Sequence, residues 1–268
     1  MKLSIINSEN IEVGKRDLPK QFSEPYHPDL IQRAVLVLQN NRRQNYGAFS
    51  EAGKRPSARL SRRRRNYKGA YGIGISRVPR KTMSRKGTRF VWQGAFAPMT
   101  VGGRRAHPPK PEKIWSRKIN KKENRKAIRS AMSATINKEL VKNRCHILPE
   151  KYPFILDNSA ENVKKTKDAK ILLEKLGFKI ELERVVEKKI RSGVGKLRSR
   201  KYRRKTGPLV VVSKDCALLR SLKNIPGVNA VIVNKLNAEL LAPGSLPGRL
   251  TLFTKPAIER LEKEALFL

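Results

Sequence analysis

The amino-acid sequence predicts an α/β fold whose mostly parallel sheet is interrupted by a long, extended basic loop. Three observations carry that prediction. Short Val-, Ile- and Leu-rich runs alternate with stretches of helical apolar spacing, the pattern of strands and helices taking turns in one sheet. The apolar runs are continuous rather than alternating, as in strands covered on both faces. Residues 40–122 hold 24 Lys+Arg and only two acids, Glu51 and Glu112, and show no sustained apolar period of either 2 or 3.6 residues.

Leu3 to Ile6 is the first strand candidate. Leu30, Ile31, Ala34, Val35 and Leu38 recur at three- and four-residue spacing behind Pro28-Asp29, a helix start signal. Beyond the loop, Ile128, Met132, Ile136 and Leu140 stand four apart and predict one amphipathic helix. Phe154-Ile155-Leu156 reads as a strand, and Ala160 to Leu176 as a helix stopped by Gly177 at its C-cap. Leu209 to Val212, Ala230 to Val233 and Leu250 to Phe253 are further strands. A last helix runs from Pro256 to Ala265, with Thr254 placed to cap it and Pro256 in its first turn. These elements imply a three-layer, Rossmann-like domain. Both sides of the interruption supply helices, so residues 1–44 and 121–268 are expected to form a single globular domain, with 45–120 an excursion from it. No internal repeat is evident.

The charge speaks of partners. The 268 residues include 61 Lys+Arg against 22 Asp+Glu, a formal net charge of +39. Such a chain needs a polyanion, either nucleic acid or an acidic membrane surface. No apolar run approaches the ~18 residues of a membrane-spanning helix. Met1 to Asn7 turns polar too soon for a signal peptide. Two cysteines, Cys145 and Cys216, do not make a disulfide scaffold and fit a reducing compartment. A structural zinc would need nearly all of these and the three histidines, His27, His107 and His146, to converge, so no metal site is expected.

The segment 40–122 holds nine of the 17 glycines, six of the 16 prolines and eight of the 16 aromatics. So polar a stretch buries too little to offset its ordering entropy, and it is expected to be disordered alone and to order against an anion. Its aromatics, Tyr46, Phe49, Tyr67, Tyr71, Phe90, Trp92, Phe96 and Trp115, suit stacking on unpaired bases; small local clusters are the alternative. A second basic segment, Arg184 to Pro208, has eleven Lys+Arg and one acid, Glu187. Its Gly193 and Gly195 let backbone approach a phosphate chain that the bases neutralise.

Catalytic constellations are missing. Gly69-Ala70-Tyr71-Gly72-Ile73-Gly74 lacks the Lys-Ser/Thr of a phosphate-binding loop, and no strand precedes it. His107 stands beside Pro108-Pro109, better placed for a phosphate or base contact than for general-base work. Cys145-His146 are sequence neighbours with no orienting acid nearby, which is not a nucleophile–base arrangement. No paired-carboxylate site is visible, and no enzyme activity or cofactor is expected.

Three groups of residues carry a resemblance. One is Gly193-Val194-Gly195-Lys196 through Arg203-Arg204, then Gly207-Pro208, Asn224-Ile225-Pro226-Gly227, Lys235-Leu236-Asn237, Leu241-Ala242-Pro243-Gly244 and Gly248-Arg249-Leu250. The second is Gly102-Gly103-Arg104-Arg105-Ala106-His107-Pro108-Pro109-Lys110 with Arg129 to Thr135. The third is Ser23-Glu24-Pro25-Tyr26-His27-Pro28-Asp29-Leu30-Ile31. Together they span the chain in order, and it resembles the family of ribosomal large-subunit protein number four in its archaeal and eukaryotic form. Arg62 to Arg65 and Phe90 to Gln93 make the loop more basic and aromatic than the family pattern, and the short end after the last helix points to an archaeal member.

The resemblance implies a cytoplasmic, structural constituent of the large subunit that binds 23S-type rRNA early in assembly and touches several rRNA domains. The loop would help form the polypeptide exit tunnel wall, near protein twenty-two and the passing nascent chain. No membrane partner and no homo-oligomer are expected. The rRNA-contact candidates are Arg42, Arg43, Arg62, Arg63, Arg64, Arg65, Arg77, Arg80, Arg104, Arg105, His107, Lys196, Arg198, Arg200, Arg203 and Arg204, with Tyr67, Tyr71, Phe90 and Trp92 for stacking. Two rivals stand beside this reading: an RNA-modifying enzyme with a basic arm, which needs a cofactor pocket, and a non-ribosomal architectural nucleic-acid binder.

Overall fold

The computed structural model describes residues 1–268. Its elements are, in order, β1 (Lys2–Ile6), β2 (Glu12–Asp17), α1 (Pro28–Asn41), β3 (Arg80–Lys86), β4 (Arg89–Gly94), α2 (Lys121–Ile136), α3 (Lys138–Asn143), β5 (Ile155–Leu156), α4 (Thr166–Leu173), α5 (Lys179–Val186), β6 (Lys188–Ile190), β7 (Tyr202–Arg204), β8 (Leu209–Val212), α6 (Ala217–Leu222), β9 (Asn229–Ile232), α7 (Ala238–Leu241), β10 (Thr251–Thr254) and α8 (Lys255–Lys263). They divide into two compact units, a sheet unit (Met1–Arg42 with Ser116–Leu268) and a basic unit (Arg43–Trp115).

In the sheet unit six strands run in the order β2-β1-β5-β10-β8-β9. Every neighbouring pair is parallel except β1 with β2. The continuous apolar runs explain the burial on both faces: all four residues of β8 and all four of β10 are buried. Alternate residues then feed two cores. Leu3, Ile5, Ile155, Val211 and Phe253 meet α1, α2, α7 and α8 in one core. Leu156, Val210, Val212 and Leu252 meet α4, α5 and α6 in the other. Removing a fully buried Val, Leu or Ile side chain from water is worth roughly 1.5–3 kcal/mol, so these cores hold the unit together.

Several expectations change on contact with the structure. Leu140 does not continue the helix of Ile128, Met132 and Ile136: the chain opens at Asn137 (ψ 109°), whose side chain accepts from the Glu139 amide at 3.0 Å and starts α3. Gly177 does stop the helix before it, as expected, but a further helix follows at once. At φ +88° its backbone is left-handed and breaks the helical course, and α5 follows because Phe178 and Leu182 are buried in the same core as α4. The helix expected over 160–176 is itself a short 3-10 turn (Asn158–Asn162) followed by α4. Thr254 flanks α8 but does not cap it with its hydroxyl, which donates instead to Glu161 Oε1 at 2.6 Å; a carboxylate is the stronger acceptor.

Strand β2 has no counterpart in the sequence pattern, because Glu-Val-Gly-Lys-Arg-Asp lies largely exposed and needs no apolar alternation. The basic segment is not structureless either. It contains the antiparallel hairpin β3–β4, closed at Lys86↔Arg89 around Gly87-Thr88, with a bulge between Thr82 and Ser84.

Candidate nucleic-acid interface

The β3–β4 hairpin arranges most of the expected stacking residues. Phe90 and Trp92 are two apart on β4 and so share a face; their ring centroids are 5.5 Å apart and stacked. Tyr67 meets Phe90 edge-on at 5.4 Å. Cations cover these rings: Arg85 lies 5.6 Å from both Tyr67 and Phe90, and Arg80 lies 5.4 Å from Trp92. Arg77 sits 4.7 Å over Tyr71 and Arg104 5.9 Å over Phe96. The rings thus face one another and the chain's own guanidiniums, each such pair worth about 0.5–1 kcal/mol at an exposed site. Arg85, Arg55, Lys68 and Lys113 escaped the sequence reading, yet each lies over an aromatic ring. Alternation of Phe90 and Trp92 across one strand was the signal that could have found Arg85.

Tyr46 and Trp115 form a second stack at 5.8 Å and 12°. Arg43 lies 3.5 Å over the Trp115 ring, its Nη2 donating to the Tyr46 hydroxyl at 3.2 Å; Lys113 is 4.3 Å from that indole. Arg105 and His107 join Tyr46 and Trp115 in lining a cleft of about 600 Å³. The nearby turn is tight: a Cβ on Gly103 would stand 2.0 Å from the Ala97 carbonyl oxygen.

Charge separates the two units. Arg43–Trp115 holds 19 Lys+Arg and two acids. All of the chain's ion pairs lie in the sheet unit, and none involves a residue of the basic unit. Arg62 to Arg65 are all exposed, on a turn where Arg65 takes φ +53°. Arg42 differs from the other candidates in having an ion-pair partner, Glu239 at 2.6 Å.

The second basic segment folds as the hairpin β6–β7, with a 3-10 turn over Gly193–Lys196 between the strands. Lys196, Arg198, Arg200, Arg203 and Arg204 are exposed. Arg200 and Arg203 line a cleft of about 510 Å³ with Lys189 and Arg191. Buried groups anchor its base. Glu181, fully buried, accepts two bonds from Arg184 (2.7 and 2.6 Å), one from the Ile147 amide (3.1 Å) and contacts His146 Nδ1 at 2.6 Å. Burial works to raise the Glu181 carboxyl, but these hydrogen bonds outweigh it and hold it below the usual carboxylate range. Burial pushes the His146 imidazole down against the opposing pull of Glu181, whose carboxylate it meets through Nδ1. Arg184 also donates to the Thr206 carbonyl. Arg249, 2% exposed, donates to Gly207 O, Leu240 O and Asn229 Oδ1; burial first, then Arg144, lowers it to about 9.

Open α/β sheets hold ligands at the carboxyl ends of their strands. Here Glu161 fills that place from within: it accepts from the Ser213 amide (3.1 Å) and hydroxyl (2.9 Å) after β8 and from Thr254 at the end of β10. The Gly69–Gly74 stretch is a turn with no helix behind it, unlike a nucleotide-binding loop. No helix is long and apolar enough to cross a membrane.

The chain thus combines an α/β sheet unit with two densely cationic stretches, Arg43–Trp115 and the β6–β7 segment, whose bases are largely unpaired. Residues 16–264 match the model of the ribosomal protein L4/L1 family. The large ribosomal subunit protein uL4 of Nanoarchaeum equitans is 47% identical over 268 residues, covering 100% of both chains. Those of Archaeoglobus fulgidus (44% over 262 residues, 97% of this chain and 98% of that one) and Methanosphaera stadtmanae (46% over 263 residues, 97% and 96%) are similar along the same length. The chain belongs to the ribosomal protein L4/L1 family, and the relatives are of archaeal type.

Proposed function

We propose that the chain is a structural constituent of the large ribosomal subunit, not an enzyme, and that it binds 23S-type rRNA early in assembly. One observation carries this reading: 19 Lys+Arg of the basic unit have no ion pair within the chain, so their counter-charge comes from outside it. Phosphates supply that charge, and the counterions they release supply much of the affinity. The names of the relatives, all large-subunit proteins, agree with rRNA as the polyanion.

In this reading residues 1–44 and 121–268 form a three-layer, Rossmann-like platform whose β6–β7 hairpin docks on rRNA through Lys196, Arg198, Arg200, Arg203 and Arg204. Residues 45–120 are the extended element that enters the rRNA, where Arg62 to Arg65, Arg77, Arg80, Arg104, Arg105 and His107 meet phosphates of several rRNA domains. Its tip lines the polypeptide exit tunnel beside protein twenty-two and touches the nascent chain. Tyr67, Tyr71, Phe90 and Trp92 present ring edges and their bound guanidiniums to RNA. Arg42 acts through its pair with Glu239.

Sedimentation in a magnesium-containing gradient after a high-salt wash tests the reading. The chain is expected to stay with the large subunit; release to the top of the gradient while that subunit remains intact overturns it. Deleting residues 62–92 is expected to leave the sheet unit folded and to lower subunit yield or widen the tunnel. Unchanged yield with unchanged tunnel density would refute the tunnel role alone.

A further inference from the structure

We infer that the cleft between Tyr46, Trp115 and Glu112 holds one unstacked guanine nucleotide of the rRNA. This rests on the rRNA reading above and adds a defined subsite to it. Four features of the cleft converge. Its volume of about 600 Å³ lies in the range of small-molecule sites and suits a single nucleotide, not a duplex. Tyr46 lines it with 49% of its surface exposed, a ring face on which a base can stack. Trp115 Nε1 is buried with no hydrogen-bond partner, whereas buried indole donors ordinarily have one. Glu112 lines the same cleft among Arg105, Lys110 and Lys113 and forms no ion pair with any of them.

The mixture of signs selects the base. Phosphate alone would call for cations alone, and a carboxylate there would be a liability. A carboxylate suits a base edge that offers two adjacent donors, and the N1–H and N2–H₂ of guanine do so; charge-assisted bidentate pairs of this kind are the strong ones. Guanine O6, next to N1, and N7 beyond it are acceptors, matched to basic side chains or to the indole N–H. A second cleft of the basic unit, about 340 Å³ beside Tyr67, has one ring and no acid. The β6–β7 cleft has bases but no ring. Neither combines the features that read a base.

The test uses large subunits in which Tyr46→Ala, Tyr46→Phe or Glu112→Gln is the only copy of the chain. Guanine N1/N2 is probed with kethoxal, and every 2′-hydroxyl with an acylating reagent. One guanine, protected in the wild type and in Tyr46→Phe, is expected to become about five-fold more reactive or higher in Tyr46→Ala, the loss of one base–aromatic stack. The same guanine is expected to gain kethoxal reactivity in Glu112→Gln. Variants incorporated at wild-type level with no guanine changing, or with the change on another base, overturn the inference and leave rRNA binding standing. If Tyr46→Ala is not incorporated, Glu112→Gln decides by the same criterion. A wild-type chain missing from the subunit overturns both readings.

Discussion

The two units of this chain are held by opposite means. The sheet unit buries both faces of β8 and β10 in two apolar cores and contains every ion pair in the molecule. In the basic unit, Arg43–Trp115, the buried hydrophobic residues are two alanines, Ala70 and Ala95. Its order comes from a hairpin, tight turns and guanidiniums laid on aromatic rings. The difference teaches what each is for. An apolar core makes a fold independent of its surroundings, whereas unpaired cations on a thinly packed frame make one that depends on a polyanion.

The comparison can be broken at its strongest point first. Glu181→Leu strips Arg184 and His146 of their buried carboxylate. It should cost the sheet unit about 2–3 kcal/mol, read by chemical denaturation, because the partly buried Arg184 guanidinium loses its charged acceptor. Gly103→Ala forces a methyl toward the Ala97 carbonyl and should cost about 1–3 kcal/mol. That cost should be confined to the basic unit, so hydrogen exchange should quicken near 95–104 while the main melting transition stays in place. Replacing Arg62, Arg63, Arg64 and Arg65 together with Ala should move folding stability by no more than about 0.5 kcal/mol. The same variant should flatten the salt dependence of rRNA binding by about three in log–log slope. A large stability loss there would mean that the four arginines hold the fold rather than the RNA.

Acidity gives the smallest effect. The His146 imidazole is depressed in the folded state, so the unfolded chain takes up its proton first as pH falls through ~6.5. Stability contributed above that pH is therefore lost below it. Glu181 is also depressed, so its contribution is present above the ordinary carboxylate range and fades further down, with the same sign. Melting temperature should fall from neutral pH to ~5, and His146→Gln should flatten the upper part of that slope.

The legible parts of the fold were those whose burial is written locally. Leu209–Val212 and Leu250–Phe253 read as strands because they are short, almost wholly apolar runs, and α1 because Ile31, Ala34 and Val35 repeat on one face. The β3–β4 hairpin was hidden because its ring-bearing face packs on guanidiniums rather than on apolar residues, and because the bulge at Thr82–Ser84 breaks the two-residue period. The charge excess of the basic segment was plain in the sequence. The partnership of Tyr46 with Trp115 was not, since the two lie at opposite ends of the unit and meet only when the chain closes on itself. Glu161 gave no signal at all: its partners Ser213 and Thr254 come from distant strands.

That carboxylate has a consequence for how this scaffold can change. By tying the ends of β8 and β10 together, Glu161 spends the very place where sheets of this kind otherwise host small molecules. Any descendant that regained a guest there would first have to surrender a fastener and find another way to keep two central strands abreast. Holding and hosting compete for one edge, so innovation in this lineage is steered outward, into loops that can lengthen or change sign without loosening the frame.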